Sequence, residues 1–459
     1  MQLVTLAMLA AVVLAPFLVS EGYLPGNLKF LPEMLSGVVA IYVIVQGIST
    51  RFKYVRSEYW VVFGAAATII LCGIIANSVG PGPILSGMRY YARAIPFFFL
   101  PMVYQYKEAE IQQQLKLLGA VALLQLPLAA YQKYTLVQDM RFTGDFVYGT
   151  LMLSSSLTVY MIMGIAFLIA LFLRDRLTKQ QFGMLFLLYV VPTTLNETKI
   201  TVFFMPLAII TTAIIASPRG QKMRILTASL AMVVVAGAIF VPIYNYLGTQ
   251  AVRTKEEESS IYEMFTKKDY FQKYLNQNTA VGDRKEVGRV DAFTVPLDYV
   301  SRDPVSLAFG LGLGNASNSN IGPQFSGKFA PLLSRYASGG SSAGSMVLEV
   351  GVLGGLCALL LHWLIFRDCM IVARQRGPTL VDILAPAWPA SVILTTIGLF
   401  YVAPIASENM SYLFWYFSGV FVARRMQLAL ESSATARARQ SAAGRFQQPL
   451  AQGQMRQRG

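Results

Sequence analysis

The feature that most constrains this chain is the recurrence of apolar runs of about 18 residues or more, the length a bilayer-spanning helix requires. They extend from LVTLAMLAAVVLAPFLV near the start to VLGGLCALLLHWLIF near the end. A water-soluble domain has nowhere to bury so many continuous apolar segments. Alternating strand patterns are absent, and lipid tolerates no unpaired backbone, so the spanning element is the helix. The expected fold class is an all-α polytopic membrane protein with about twelve transmembrane helices. The expected spans are roughly 3–20, 31–49, 61–79, 86–105, 115–135, 148–173, 182–196, 199–217, 225–245, 343–366, 381–402 and 406–423. The first run lacks a basic lead-in and a small-residue cleavage site, so it reads as a helix and not a signal peptide.

Charge sets the orientation. The 459 residues carry 38 Lys and Arg against 24 Asp and Glu, a net charge of +14. The excess lies after even-numbered spans: Arg51, Lys53 and Arg56; Arg174, Arg176 and Lys179; Arg219, Lys222 and Arg224; Arg367, Arg374 and Arg376; Arg424 and Arg425. Basic short loops stay in the cytoplasm, which places both termini inside. Used this way, the basic charge is a topology and lipid-headgroup signal, and no nucleic-acid partner is expected. Cys72, Cys357 and Cys369 lie in or beside apolar spans, without a CxxC pattern or a disulfide framework.

The chain divides into helices 1–9 over 1–245, one large periplasmic or extracellular loop over 246–342, helices 10–12 over 343–426, and a basic cytoplasmic tail over 427–459. The tail is rich in Ala, Ser, Gln and Arg and reads as disordered. The large loop opens with a charged helical stretch, VRTKEEESSIYEMFTKKDYFQKY. A second helix follows, ending at Pro304, and then FGLGLGNASNSN, which reads as a glycine-rich turn and not a dinucleotide fingerprint.

Cations on the outer face run against the usual charge bias. They are Arg89 and Arg93 in SGMRYYARAIPFFF, Arg141 in DMRFTGDFVYGT, Lys199 beside Glu197 in TTLNETKITVFF, and Arg284 and Arg289 in GDRKEVGRVD. Guanidinium groups at an apolar–polar boundary suit a pyrophosphate, because they fork onto phosphate oxygens and keep their charge. Each could instead pair with a nearby acid or extend its head to water. Glu349, about two turns inside the helix SMVLEVGVLGGL, is an ionisable group at membrane depth and marks a functional site or a structural ion pair.

Four blocks in this order resemble the O-antigen ligase/polymerase superfamily of lipid-linked glycan transferases: RFTGDFVYGTLMLSSSL, LNETKITVFFMPLA, GRVDAFTVPLDYVSRDPVSLAFGLGLGN and SMVLEVGVLGGL. The resemblance covers about residues 85 to 370. It implies a GT-C-like, metal-independent glycosyltransferase of the bacterial inner membrane, needing no cofactor. Its substrate would be a polyprenyl-pyrophosphate-linked glycan, with a flippase and a chain-length regulator as candidate partners. Arg141 and Arg289 would hold the pyrophosphate, with Arg284, Lys199, Arg89 and Arg93 as further substrate contacts. Glu349 would be a candidate general base or a partner of Arg289, with Asp145, Asp291 and Glu197 as competitors for the base. The ligase branch carries a histidine about eleven positions before its Gly-x-x-Gly. Here that place is Gly340 and Ser341, and the one histidine, His362, falls toward the cytoplasmic end as a satisfied or headgroup-facing side chain. The reading is therefore a polymerase of lipid-linked repeat units making O-antigen, capsule or exopolysaccharide. The alternatives are a ligase moving glycan onto lipid A core or protein, and a multi-helix transporter or flippase. Transporters commonly carry internal repeats and midplane sites, and no clear repeat is visible here.

Overall fold

The computed structural model describes residues 1–138, 147–196, 198–218, 220–250, 280–281, 284–285, 287–319, 321–337, 340–401 and 408–455, with side chains omitted at 136–138, 244–250, 280–285, 408–409 and 436–455. The regular secondary structure of these residues is helical, apart from a hairpin of two-residue strands pairing Ala280–Val281 with Arg284–Lys285. Among the described residues, eight helices are long and apolar enough to cross a membrane. The chain is thus a multi-pass membrane protein.

In chain order the described helices are α1 (Gln2–Ser20), α2 (Leu31–Ser49), α3 (Ser57–Ala76), α4 (Pro81–Ala92), α5 (Ile95–Val103), α6 (Glu108–Gln138), α7 (Ser154–Leu173), α8 (Lys179–Leu195), α9 (Thr201–Ala216) and α10 (Lys222–Gln250). After the hairpin come α11 (Asp291–Ser301), α12 (Pro304–Phe309), α13 (Ala330–Ala337), α14 (Ser342–Gln375), α15 (Leu380–Leu384), α16 (Trp388–Tyr401) and α17 (Glu408–Met455).

Eight of the twelve expected spans match these long apolar helices, and those at 86–105, 182–196, 199–217 and 406–423 do not. The run 86–105 is broken into α4 and α5. Pro96 has no N–H to donate, and its ring excludes the carbonyl four residues back, so the helix ends and restarts around Arg93 and Ala94. At 16 residues, α9 falls short of the eight long spans. The tail differs from expectation as well. Helix α17 runs on to Met455, because the Ala, Arg, Gln and Glu of that stretch are good helix formers. In the large loop, the helix expected to end at Pro304 is α11, which stops at Ser301, and Pro304 instead opens a further short helix, α12, in its first turn. The Asp303 carboxylate caps α12 by accepting from the Ser306 N–H and hydroxyl, and these bonds hold its pKa below the usual carboxylate value. The charged stretch that opens the loop lies outside the described residues.

The core is aromatic where α7, α16 and α17 meet. Trp388 is buried at the start of α16, against Phe167 of α7 and Phe414, Phe417 and Phe421 of α17. Its indole N–H donates to Ser418 Oγ at 3.0 Å. Ser418→Ala would leave that donor buried and unpaired. The expected loss is about 1–3 kcal/mol, read as a lower unfolding midpoint of detergent-solubilised protein.

Helices α3 and α14 run antiparallel along their length. Tyr59 meets Asp368 at one end (3.0 Å), and Gly73 meets the Phe309–Gly312 segment at the other. The Asp368 end carries the basic clusters expected inside. Arg56 bridges Glu58 and Asp368, and Arg367 reaches Glu58 at 3.3 Å.

Candidate functional site

Helix α14 is bent at Gly351, whose φ of 70° lies in the left-handed region. The bend releases the Leu348 carbonyl from its helical partner, and the Leu311 N–H takes it at 2.7 Å. Leu311 belongs to the expected glycine turn. Gly310, Gly312 and Gly314 have φ of 73°, 92° and 75°, and a side chain on any of them would run into neighbouring backbone or side chains. The loop is thereby wedged among α3, α4 and the bend of α14, with Asn77 Nδ2 donating to the Gly310 carbonyl at 3.1 Å.

Glu349 lies directly under this loop and is 1% exposed. Ser317 donates to its carboxylate at 2.5 Å, and the backbone of Gly314 and Ala316 faces it. The Tyr91 hydroxyl lies against the same carboxylate, yet it meets no partner at hydrogen-bond geometry. The expected pairing of Glu349 with Arg289 is not among the described contacts, since the loop supplies the donors for this carboxylate.

Beside Tyr91 opens a cavity of about 150 Å³. Its lining is almost wholly apolar and follows α14 from Ser342 to His362, on the order of 30 Å at about 1.5 Å per residue. Val62, Phe63, Ala66 and Ile70 of α3 form the opposite wall. Of the two expected settings for His362, satisfied or headgroup-facing, the second does not hold and the first holds at one ring nitrogen. It is buried, stacked on Phe414 with centroids 5.1 Å apart, and it lines the slot. Its Nδ1 meets the Ala358 carbonyl at 2.8 Å, while Nε2 has no partner among the described residues.

Three of the expected outer cations stand at the Tyr90–Tyr91 end. Arg89 Nε pairs with Glu33 at 2.6 Å, and Arg93 Nη1 pairs with the other oxygen of the same carboxylate at 3.1 Å. The Arg93 guanidinium also lies 6.0 Å from the Tyr412 ring, whose neighbour Ser411 lines the slot. Arg289 lies 5.2 Å from the Tyr401 ring, close in sequence to the slot-lining Leu399. The Arg289 segment is held there by packing. Phe293 meets Phe400 at 5.4 Å, and the Ala292 carbonyl accepts from Ser341, the N-cap of α14, at 3.4 Å. Asp291 opens α11 two residues after Arg289.

Lys199 sits half-buried in the turn before α9, away from these contacts in the chain. Arg141, Asp145 and Glu197 lie outside the described residues, and Arg284 is described in its backbone alone, paired with Val281. The segment following Arg141 is anchored by two buried glutamines. Gln132 accepts from the Gly149 N–H at 2.8 Å, and Gln125 donates to Thr150 Oγ1 at 2.8 Å. Sequence reasoning passed over these, and also over the buried Lys133 beside them. Their signal was available: Gln125, Gln132 and Lys133 are polar residues at roughly helical spacing inside an apolar run.

Among the described residues no group of three or more His, Cys, Asp or Glu side chains is placed to hold a metal ion. Neither a protein-family model nor a curated protein matches the chain.

Proposed function

We propose that this protein is a membrane glycosyltransferase that polymerises polyprenyl-pyrophosphate-linked repeat units into O-antigen, capsule or exopolysaccharide at the outer face of the bacterial inner membrane. The observation that carries the reading is an apolar slot with Arg89 and Arg93 in the same stretch of chain as its lining residues Tyr90, Tyr91 and Ala94. Arg93 lies 6.0 Å from the Tyr412 ring and Arg289 5.2 Å from the Tyr401 ring, residues close in sequence to the slot-lining Ser411 and Leu399. A lipid-linked pyrophosphate has the same two-part chemistry, an apolar chain under a doubly charged headgroup. The slot would take part of the chain, and the arginines would grip the diphosphate.

Under this reading the chain spans the membrane twelve times with both termini in the cytoplasm, and the α4–α5 break forms the mouth of the slot. The growing glycan leaves its carrier and joins the non-reducing end of a new lipid-linked unit, with inversion. Arg289 and Arg141 stabilise the charge that develops on the leaving pyrophosphate, which needs no metal if the donors are already in place. Arg89, Arg93, Lys199 and Arg284 supply further contacts, and Glu349 is the terminal proton acceptor.

The test is reconstitution of the purified protein with lipid-linked repeat units. A ladder of products lengthening by one unit is the expected result. Transfer of preformed glycan onto lipid A core without lengthening would make the protein a ligase. Movement of lipid-linked units across the vesicle wall without covalent change would make it a flippase.

A further inference from the structure

Tyr91 separates the slot from Glu349. Its ring lines the cavity, whereas Glu349 is sealed beneath the glycine loop and does not line it. An acceptor hydroxyl held at the mouth of the slot therefore meets the phenol before the carboxylate. The Tyr91 hydroxyl is buried and lies against the Glu349 carboxylate, short of full hydrogen-bond geometry. A buried hydroxyl set against a carboxylate has that group as its acceptor, which is the contact a proton relay needs. The carboxylate beyond it is held in place by Ser317 and by the backbone of Gly314 and Ala316. Charge-assisted bonds of this kind fix an acceptor firmly.

We propose that Tyr91 is a further catalytic residue, relaying the proton of the acceptor hydroxyl to Glu349; the inference rests on the glycosyl-transfer reading above. A phenol suits the task because one oxygen both accepts and donates. As the acceptor oxygen bonds to the anomeric carbon of the donor, the bond from that carbon to the pyrophosphate oxygen breaks, and its electron pair leaves with the pyrophosphate. The acceptor's proton moves to Tyr91 Oη while the proton already on that oxygen moves to the Glu349 carboxylate. After the product departs, the proton returns through Tyr91 to water. Tyr90, with its hydroxyl beside Ser345, and Arg93 are the other charged or titratable groups near this carboxylate.

The experiment compares elongation rates of Tyr91→Phe, Glu349→Gln and the double variant in reconstituted protein. Each single variant is expected to lose on the order of 100-fold or more, the scale of general-base catalysis. The double variant is expected to lose no more than either alone, because both changes break one path. Binding is read separately through Cys357, which lines the slot. In a Cys72→Ser background, the lipid-linked donor should slow maleimide labelling of Cys357 equally in wild type and Tyr91→Phe. A loss below tenfold in Tyr91→Phe overturns the relay, and so does a double variant whose loss is the product of the two single losses. Should Tyr91→Phe fail to fold, Glu349→Gln alone decides, and activity within tenfold of wild type overturns the relay. If wild-type protein makes no polymer, the glycosyl-transfer reading itself has failed; if wild type elongates and Tyr91→Phe matches it, the relay alone has failed.

Discussion

Arg289→Ala is expected to lower glycan elongation by about 10²- to 10³-fold, the usual loss when one preorganised donor to a developing anion is removed. Protein level should hardly change. Arg289 is half-buried and touches the edge of the packed structure at Tyr401, so truncation forfeits one cation–π contact of about 0.5–2 kcal/mol and opens no core cavity. Its neighbours stay pinned by Phe293 against Phe400 and by Ser341 against Ala292, so the α11 platform keeps its place without it. Arg289→Lys separates charge from geometry: it restores the positive charge but not the bidentate fork, and intermediate activity is expected. Arg141→Ala should give the same loss as Arg289→Ala. The measurement is polymer length on a gel alongside immunoblotted protein. Long-chain polymer in both alanine variants would leave the diphosphate grip without support.

What the sequence revealed divides by the range of the interaction. Apolar runs and flanking arginines are local signals, so the helices and the basic end of the bundle were legible. The glycine turn was legible too, since three glycines at alternate positions mark backbone that side chains would block. Glu349 was conspicuous as a lone acid in an apolar helix, but its partners were not. Ser317 lies 32 residues away and Tyr91 on a different helix, and only the wedge of the loop into the bend at Gly351 brings them together. The setting of His362 was hidden for a related reason. Counting residues along α14 gives its depth, but not that Phe414 and Trp415 of α17 close over it. The break at Pro96 was visible as a proline, but a proline inside an apolar run is also compatible with a kinked single span. Asp368 was passed over because it stands among arginines, where an acid reads as an ordinary surface pair.

That last residue gives the largest expected effect on stability. Arg56→Ala should destabilise the protein by about 3–5 kcal/mol, the scale for removing one partner of a buried ion pair. The Asp368 side chain is 0% exposed, and its carboxylate is bonded by Arg56 and by the Tyr59 hydroxyl, with Arg367 Nε farther off at 3.5 Å. Without Arg56, the remaining donors are one phenol and one more distant guanidinium. Neutralising the acid should reverse most of the damage: Asp368→Asn in the Arg56→Ala background keeps a group that can accept from Tyr59 while removing the stranded charge. Unfolding midpoints of the two single variants and the double variant in detergent give the coupling, which should be large and favourable. An Arg56→Ala protein within about 1 kcal/mol of wild type would mean that Asp368 is served by other donors. The consequence reaches the far end of the bundle. The pair fixes α3 against α14 at their inner ends, and the same two helices wall the slot through Val62, Phe63, Ala66 and Ile70 on one side and Met346, Val350 and Gly354 on the other. Loosening the inner clasp should therefore widen the slot, and Cys357, set in its wall, should label faster in Arg56→Ala than in wild type even when both remain folded.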